Sequence, residues 1–182
     1  MDSVFYPGVG DSNSSKRLPR RCVFLHSKGL AHGNLKTSSV FLDLNYQAVL
    51  GDYSFLFFLG KAESAVAGKK GDVFGFGMIV LEAIVGKKML DLNGGEGETM
   101  GLLGFAWSTH ERGEKAEVVE EWVGMGTCGN SKQGVRLLEI ALSCSLSENN
   151  GRPCMEEVVQ YLNTQKPIPK LPPRRPVELF PK

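Results

Sequence analysis

Apolar residues change their spacing several times along this chain, and each change predicts a different element. SVFLDL (39–44) and QAVLGD (47–52) read as two short strands, with the turn-like pair Asn45-Tyr46 between them. Val73 to Val85 is an almost unbroken apolar run of 13 residues with Glu82 inside it. A helix apolar on every side belongs in a core, so the run predicts a buried helix over Asp72–Val85, closed by Gly86. Leu102, Leu103, Phe105, Ala106 and Trp107 predict a mostly buried helix over Gly101–His110. Val135, Leu138, Ala141 and Leu142 have helical spacing on the next element. Met155, Val158, Val159 and Leu162 form an i, i+3, i+4, i+7 stripe on the last, with Pro153 at its start. A strand pair followed by at least four helices is a mainly α chain.

The flanks differ from this body. Residues 1–21 open rich in Ser, Gly and Asp and are expected to be a disordered segment. Residues 166–182 hold six of the nine prolines and predict a basic, polyproline-like tail. One compact unit, 22–165, lies between them. With 182 residues, 42% hydrophobic and 23% charged, the chain has material for one soluble domain. A net charge of +1 gives no reason to expect nucleic acid. Cys22, Cys128, Cys144 and Cys154 form no C-x-x-C pair, which points to reduced thiols and a cytoplasmic location. The first residues lack an apolar core for a secretion signal, and Val73–Val85 is too short for a transmembrane segment.

Four blocks carry a resemblance. "LHSKGLAHGNLKTSSVFLD" resembles the end of a helix, the H-R-D-x-K-x-x-N catalytic loop and its following strand in eukaryotic protein kinases. "LGDYSF" resembles the D-F-G turn, "GDVFGFGMIVLEAIVGKK" the buried central helix, and "LLEIALSCSLSENNGRPCMEEVVQYL" the last two helices with their R-P-x-M junction. Their order and gaps resemble the C-terminal lobe of a plant receptor-like serine/threonine kinase, of the lectin-type or cysteine-rich groups. The resemblance implies a kinase-like C-lobe with a small β-hairpin at the catalytic loop and a central buried helix.

Residue by residue, the resemblance also implies damage. Asn34 stands where the catalytic aspartate would accept the substrate proton, and a carboxamide is no base near neutral pH. Ser39 stands where an asparagine would hold the second magnesium, Gly33 replaces the loop arginine, and Ser54 replaces the glycine of D-F-G. Lys36 and Asp52 remain as the phosphate-facing cation and the metal ligand. Between Ser54 and Ser64 there is no Ser, Thr or Tyr to phosphorylate, and Lys61-Ala62-Glu63 is the best remnant of A-P-E. Nothing before Cys22 resembles the glycine-rich loop, the strand lysine or the helix glutamate, so an adenine pocket and a cover for the phosphates are not expected. The family uses Mg-ATP. No cofactor is expected here, and neither is kinase activity.

Several residues admit two readings. His32 is either an acid/base group or a structural tie between the loop and the D-F-G region, and the family favours the tie. Asp72 is either catalytic or a helix cap bonded to the backbone of the His32 loop. Arg152 either binds phosphate or pairs with Glu63. Phe55–Leu59 is either packing, a patch for a partner such as another kinase or signalling protein, or an aggregation liability. The tail has P-x-x-P spacing at 169–172 and 173–176, either a docking motif or a solvated linker. KRLPRR (16–21) is either a solvated lead-in or a membrane-surface or nuclear-import signal. Three functions follow: an inactive lobe that acts by binding through its helices, a piece of an active kinase, or a decayed product.

Overall fold

A computed structural model describes residues 14–44, 48–53, 62–93, 101–124, 131–146, 151–164 and 166–176. Within them lie α1 (Ser14–Ser27), a 3-10 turn (Thr37–Ser39), β1 (Val40–Leu42), β2 (Ala48–Leu50), α2 (Ala62–Asn93), α3 (Leu102–Arg112), α4 (Lys115–Gly124), α5 (Ser131–Cys144) and α6 (Met155–Asn163). The architecture is mainly α with one two-stranded antiparallel sheet, in which Phe41 pairs with Val49. The expected turn at Asn45-Tyr46 and the patch Phe55–Leu59 lie outside the described residues.

The central helix α2 is enclosed, with Val73, Phe76, Val80, Leu81 and Val85 buried. It packs on α5, α3 and α4, while α1 packs on α6 and β2. Two glycines set how closely α2 is approached. A Cβ on Gly75 would run into the carbonyl oxygen of Leu35, and one on Gly77 would lie 2.8 Å from Cys144 Cβ and 2.9 Å from the Ala141 oxygen. The loop 33–39 and helix α5 therefore rest directly on the α2 backbone, one turn of contact each. Among the described residues no helix is long and apolar enough to cross a membrane.

The structure differs from the sequence pattern in four places. Helix α2 neither starts at Asp72 nor stops at Gly86. It runs 32 residues, because AESAVAGKK before and KKMLDLN after are strong helix formers that outweigh single glycines. Asp72 is thus ten residues inside the helix and caps nothing. The expected disordered segment 1–21 gives way to helix from Ser14, because Leu18 and Cys22 share one buried edge and tie it to the lobe. The boundary at Cys22 thus falls inside α1. Helix α4, whose apolar residues Val118 and Val119 are buried, is absent from the sequence reading.

The tail is the fourth difference. Residues 166–176 are anchored to the lobe at several points, while most of their side chains stay exposed. Ile168 and Leu171 pack on the core, Pro172 O accepts a hydrogen bond from His110 Nε2 at 3.0 Å, and Arg175 N donates to Glu111 Oε1 at 3.0 Å. One guanidinium, Arg136, donates to the carbonyls of Tyr161, Thr164 and Lys166, which fixes where the tail leaves α6.

Gly75→Ala should lower the free energy of unfolding by about 1–3 kcal/mol, as overpacking against backbone does. Gly71→Ala, with nothing within 4 Å of the new Cβ, should instead raise it by about 0.5–1 kcal/mol through helix entropy. Urea denaturation of both variants beside the parent chain checks the opposite signs.

Candidate functional site

The loop His32–Ser39 is held by a carboxylate from the middle of α2. Asp72, 0% exposed, accepts the His32 amide on Oδ2 at 2.7 Å and the Gly33 amide on Oδ1 at 2.8 Å. Gly33 turns the backbone at φ +78°, a conformation glycine adopts without strain. A third donor comes from α1. His26 Nε2 lies 2.9 Å from Asp72 Oδ2, and since a carboxylate only accepts, that nitrogen carries the proton. Lys69 Nζ then donates to the His26 carbonyl at 2.8 Å, so α1 is tied twice to α2.

His32 is also 0% exposed and both its ring nitrogens are engaged. Nε2 donates to Gly51 O at 2.6 Å and Nδ1 accepts the Asn34 amide at 3.3 Å. The partners fix the neutral Nε2–H tautomer, because a carbonyl cannot donate and an amide N–H cannot accept. The ring links the loop to the turn at Gly51-Asp52, with Tyr53 packed 5.0 Å away. Ser39 is fully buried. Its hydroxyl donates to Asn34 O at 3.0 Å, and its carbonyl accepts Gly51 N at 2.9 Å.

Asn34, Lys36 and Asp52 are exposed. Asp52 has φ +56°, alone among described non-glycine residues in the left-handed region, which Asp tolerates better than most. An open groove of about 530 Å³ lies between the loop and α2, with Asn34, Lys36, Thr37, Phe74, Met78 and Glu82 on its walls. The Thr37 hydroxyl donates to Glu82 across it.

Arg152 lies elsewhere. Its Nε donates to Leu146 O at 2.5 Å, NH1 to Lys70 O at 3.2 Å, and the guanidinium stacks 5.3 Å over Phe74. The Glu63 side chain lies outside those described, so the proposed pair with Arg152 has no geometry here. Its backbone is in the first turn of α2, which leaves only residues 53–61 between Asp52 and that helix.

The residues do not fit a two-magnesium ATP site. Magnesium wants near-octahedral oxygen ligands, commonly one or two carboxylates with phosphates and water. Asp52 is one such carboxylate, but the Ser39 hydroxyl faces inward and is spent on a carbonyl. Among the described residues no cluster of three His, Cys, Asp or Glu side chains could hold a metal ion.

Sequence reasoning missed His26. Its signal was the spacing Leu18, Cys22, His26, which puts the imidazole on the buried edge of α1. Cys22 shares that edge, and burial together with the Asp72 charge pushes its thiol upward. Burial also pushes Cys144 up to about 12, against an opposing hydrogen bond from Ser143.

No family model matches the chain. It is similar to the L-type lectin-domain containing receptor kinase IX.1 of Arabidopsis thaliana, 29% identical over 87% of this chain and 28% of that protein. Pollen receptor-like kinase 3 of the same plant is 33% identical over 76% of this chain and 25% of its own length. Cysteine-rich receptor-like protein kinase 27, also from Arabidopsis thaliana, is 32% identical over 84% and 27% respectively. The chain spans little more than a quarter of the length of these relatives.

Asp72→Ala strands three buried donors, and breaking such a constellation costs about 3–5 kcal/mol. Urea titration of the variant should show that loss, and a loss below about 1 kcal/mol would remove Asp72 from its central place. The thiols give a pH dependence. From about pH 9 the unfolded chain releases thiol protons that folded Cys22 and Cys144 retain, so stability falls as pH rises, by about 1.4 kcal/mol per unit per thiol. Urea midpoints at about pH 8 and pH 10 should therefore diverge, and diverge less in Cys144→Ala.

Proposed function

Taking as premise that this chain is a homologue of the plant receptor-like kinases, we propose that it is a kinase-like lobe whose phosphotransfer chemistry is disabled and which acts by binding. One observation carries the reading: the buried side chains that build the loop, His32, Ser39 and Asp72, already spend their polar atoms inside the protein. His32 is saturated on both nitrogens, Asp72 on both oxygens, and the Ser39 hydroxyl is turned away from solvent. At the exposed position where the family's base would stand there is an amide, Asn34.

General base catalysis contributes about 10²–10⁴-fold, so its loss alone slows a kinase without silencing it. The inward Ser39 hydroxyl removes a metal ligand in addition, and phosphoryl transfer depends on metal and positioned charge more than on covalent help. The nine residues between Asp52 and α2 give little chain from which to build a platform for a protein substrate. These losses compound.

What the lobe retains is surface. The groove beside Lys36 and Glu82 offers one cation, one carboxylate and the apolar walls of Phe74 and Met78 to a segment of a partner protein. We assign the binding role to this groove. A second reading is favoured by the exposure of both Lys36 and Asp52: the chain is the C-terminal part of a longer Ser/Thr kinase that binds Mg-ATP and works when the rest is present.

Incubating the purified chain with Mg-ATP and a generic protein substrate tests the first reading. Phosphate incorporation should equal that of Asn34→Ala, and incorporation above the variant would overturn it. Fusing the preceding kinase portion of a relative ahead of Ser14 tests the second. Transfer that vanishes on Lys36→Ala would favour the working enzyme.

A further inference from the structure

Charge is distributed unevenly in this nearly neutral chain. Six of its 21 basic residues and none of its 20 acidic ones fall between Ser14 and Leu42, which leaves the remainder at −5. Helix α1 concentrates that excess on one side. Its inner edge is Leu18, Cys22 and His26, all buried, which fixes the helix rigidly on the lobe. Arg17, Arg20, Arg21 and Phe24 are exposed on the outer side, and Lys28 just past the helix end joins them.

At 100° per residue the four helix positions fall within an arc of about 100°, with Phe24 between Arg20 on one flank and Arg17 and Arg21 on the other. Phe24 is 60% exposed, and the Lys28 ammonium lies 5.9 Å from its ring centre. Among the described residues no carboxylate pairs with any of the four cations. Arg20 alone reaches a polar side chain there, Asn163 Oδ1 at 3.4 Å.

We propose that the outer face of α1 docks on an anionic lipid bilayer, with Phe24 entering the headgroup–acyl boundary and Arg17, Arg20, Arg21 and Lys28 resting on lipid charges. A helix face with an apolar ring among cations is the arrangement that lies in such an interface. Single-stranded nucleic acid asks for a groove with successive stacking aromatics, whereas this face is convex and carries one ring. An acidic protein surface would satisfy the cations and leave the central Phe24 without a role. The proposal is independent of whether the lobe transfers phosphate.

Cosedimentation of the full chain with phosphatidylcholine vesicles, with and without about 30% phosphatidylserine, tests it. Binding is expected only to the anionic vesicles. Each basic residue near such a surface contributes about fivefold in affinity, so Arg17→Gln with Arg21→Gln should weaken binding about 30-fold. Phe24→Ala should weaken it about five- to tenfold. Circular dichroism checks that the variants fold. Should they not, salt titration of the parent chain decides, since binding must fall steeply between about 0.05 and 0.5 M salt. Equal binding to neutral vesicles, indifference to salt or to the substitutions, or tighter binding to duplex DNA or polyglutamate at the same salt would overturn the proposal.

Discussion

A single carboxylate buried in the middle of the longest helix organises this lobe. Removing Asp72 from water is costly, and only a full set of donors makes the burial tolerable. Those donors come from two directions: the His26 imidazole on α1, and the backbone amides of His32 and Gly33 in the loop. Satisfying one side chain therefore fixes α1, α2 and the loop together. Gly75 completes the arrangement by letting the Leu35 backbone lie against α2, where any side chain would push the loop off the carboxylate.

The same economy explains the chemistry. His32 and Ser39 belong to a loop that resembles a catalytic one, yet their polar atoms bond inward to Gly51 and Asn34 and serve to hold shape. What faces outward is an amide, a lysine and one aspartate in a left-handed turn. At the position of the loop's proton acceptor that outward group is the amide of Asn34, which is no base near neutral pH. The groove and the outer face of α1 have opposite properties, a mixed polar–apolar cleft in one case and concentrated positive charge in the other.

The fold class and the loop were legible in the sequence because both rest on local pattern. The apolar run Val73–Val85 forces a buried helix, and the strand pair follows from two short apolar segments with the turn-like Asn45-Tyr46 between them. Helix ends were not legible, because the stop at Gly86 and the start at Asp72 were inferred from capping chemistry that tertiary contacts override: Asp72 is needed for the loop and not for its own helix. His26 was missed since its partner lies 46 residues away. The docked tail was missed for a related reason. Prolines predict extended backbone correctly, but whether that backbone is solvated depends on Arg136, His110 and Glu111, which the tail sequence does not contain.

Native-state hydrogen exchange at the amides of His32 and Gly33 tests this account most directly. Both lie in a loop, yet each donates to a buried carboxylate, so both should exchange only with global unfolding, as slowly as core amides of α2. Exchange at the rate of an open loop would mean that Asp72 does not hold the segment, and the reading of the site as a locked structural element would fail.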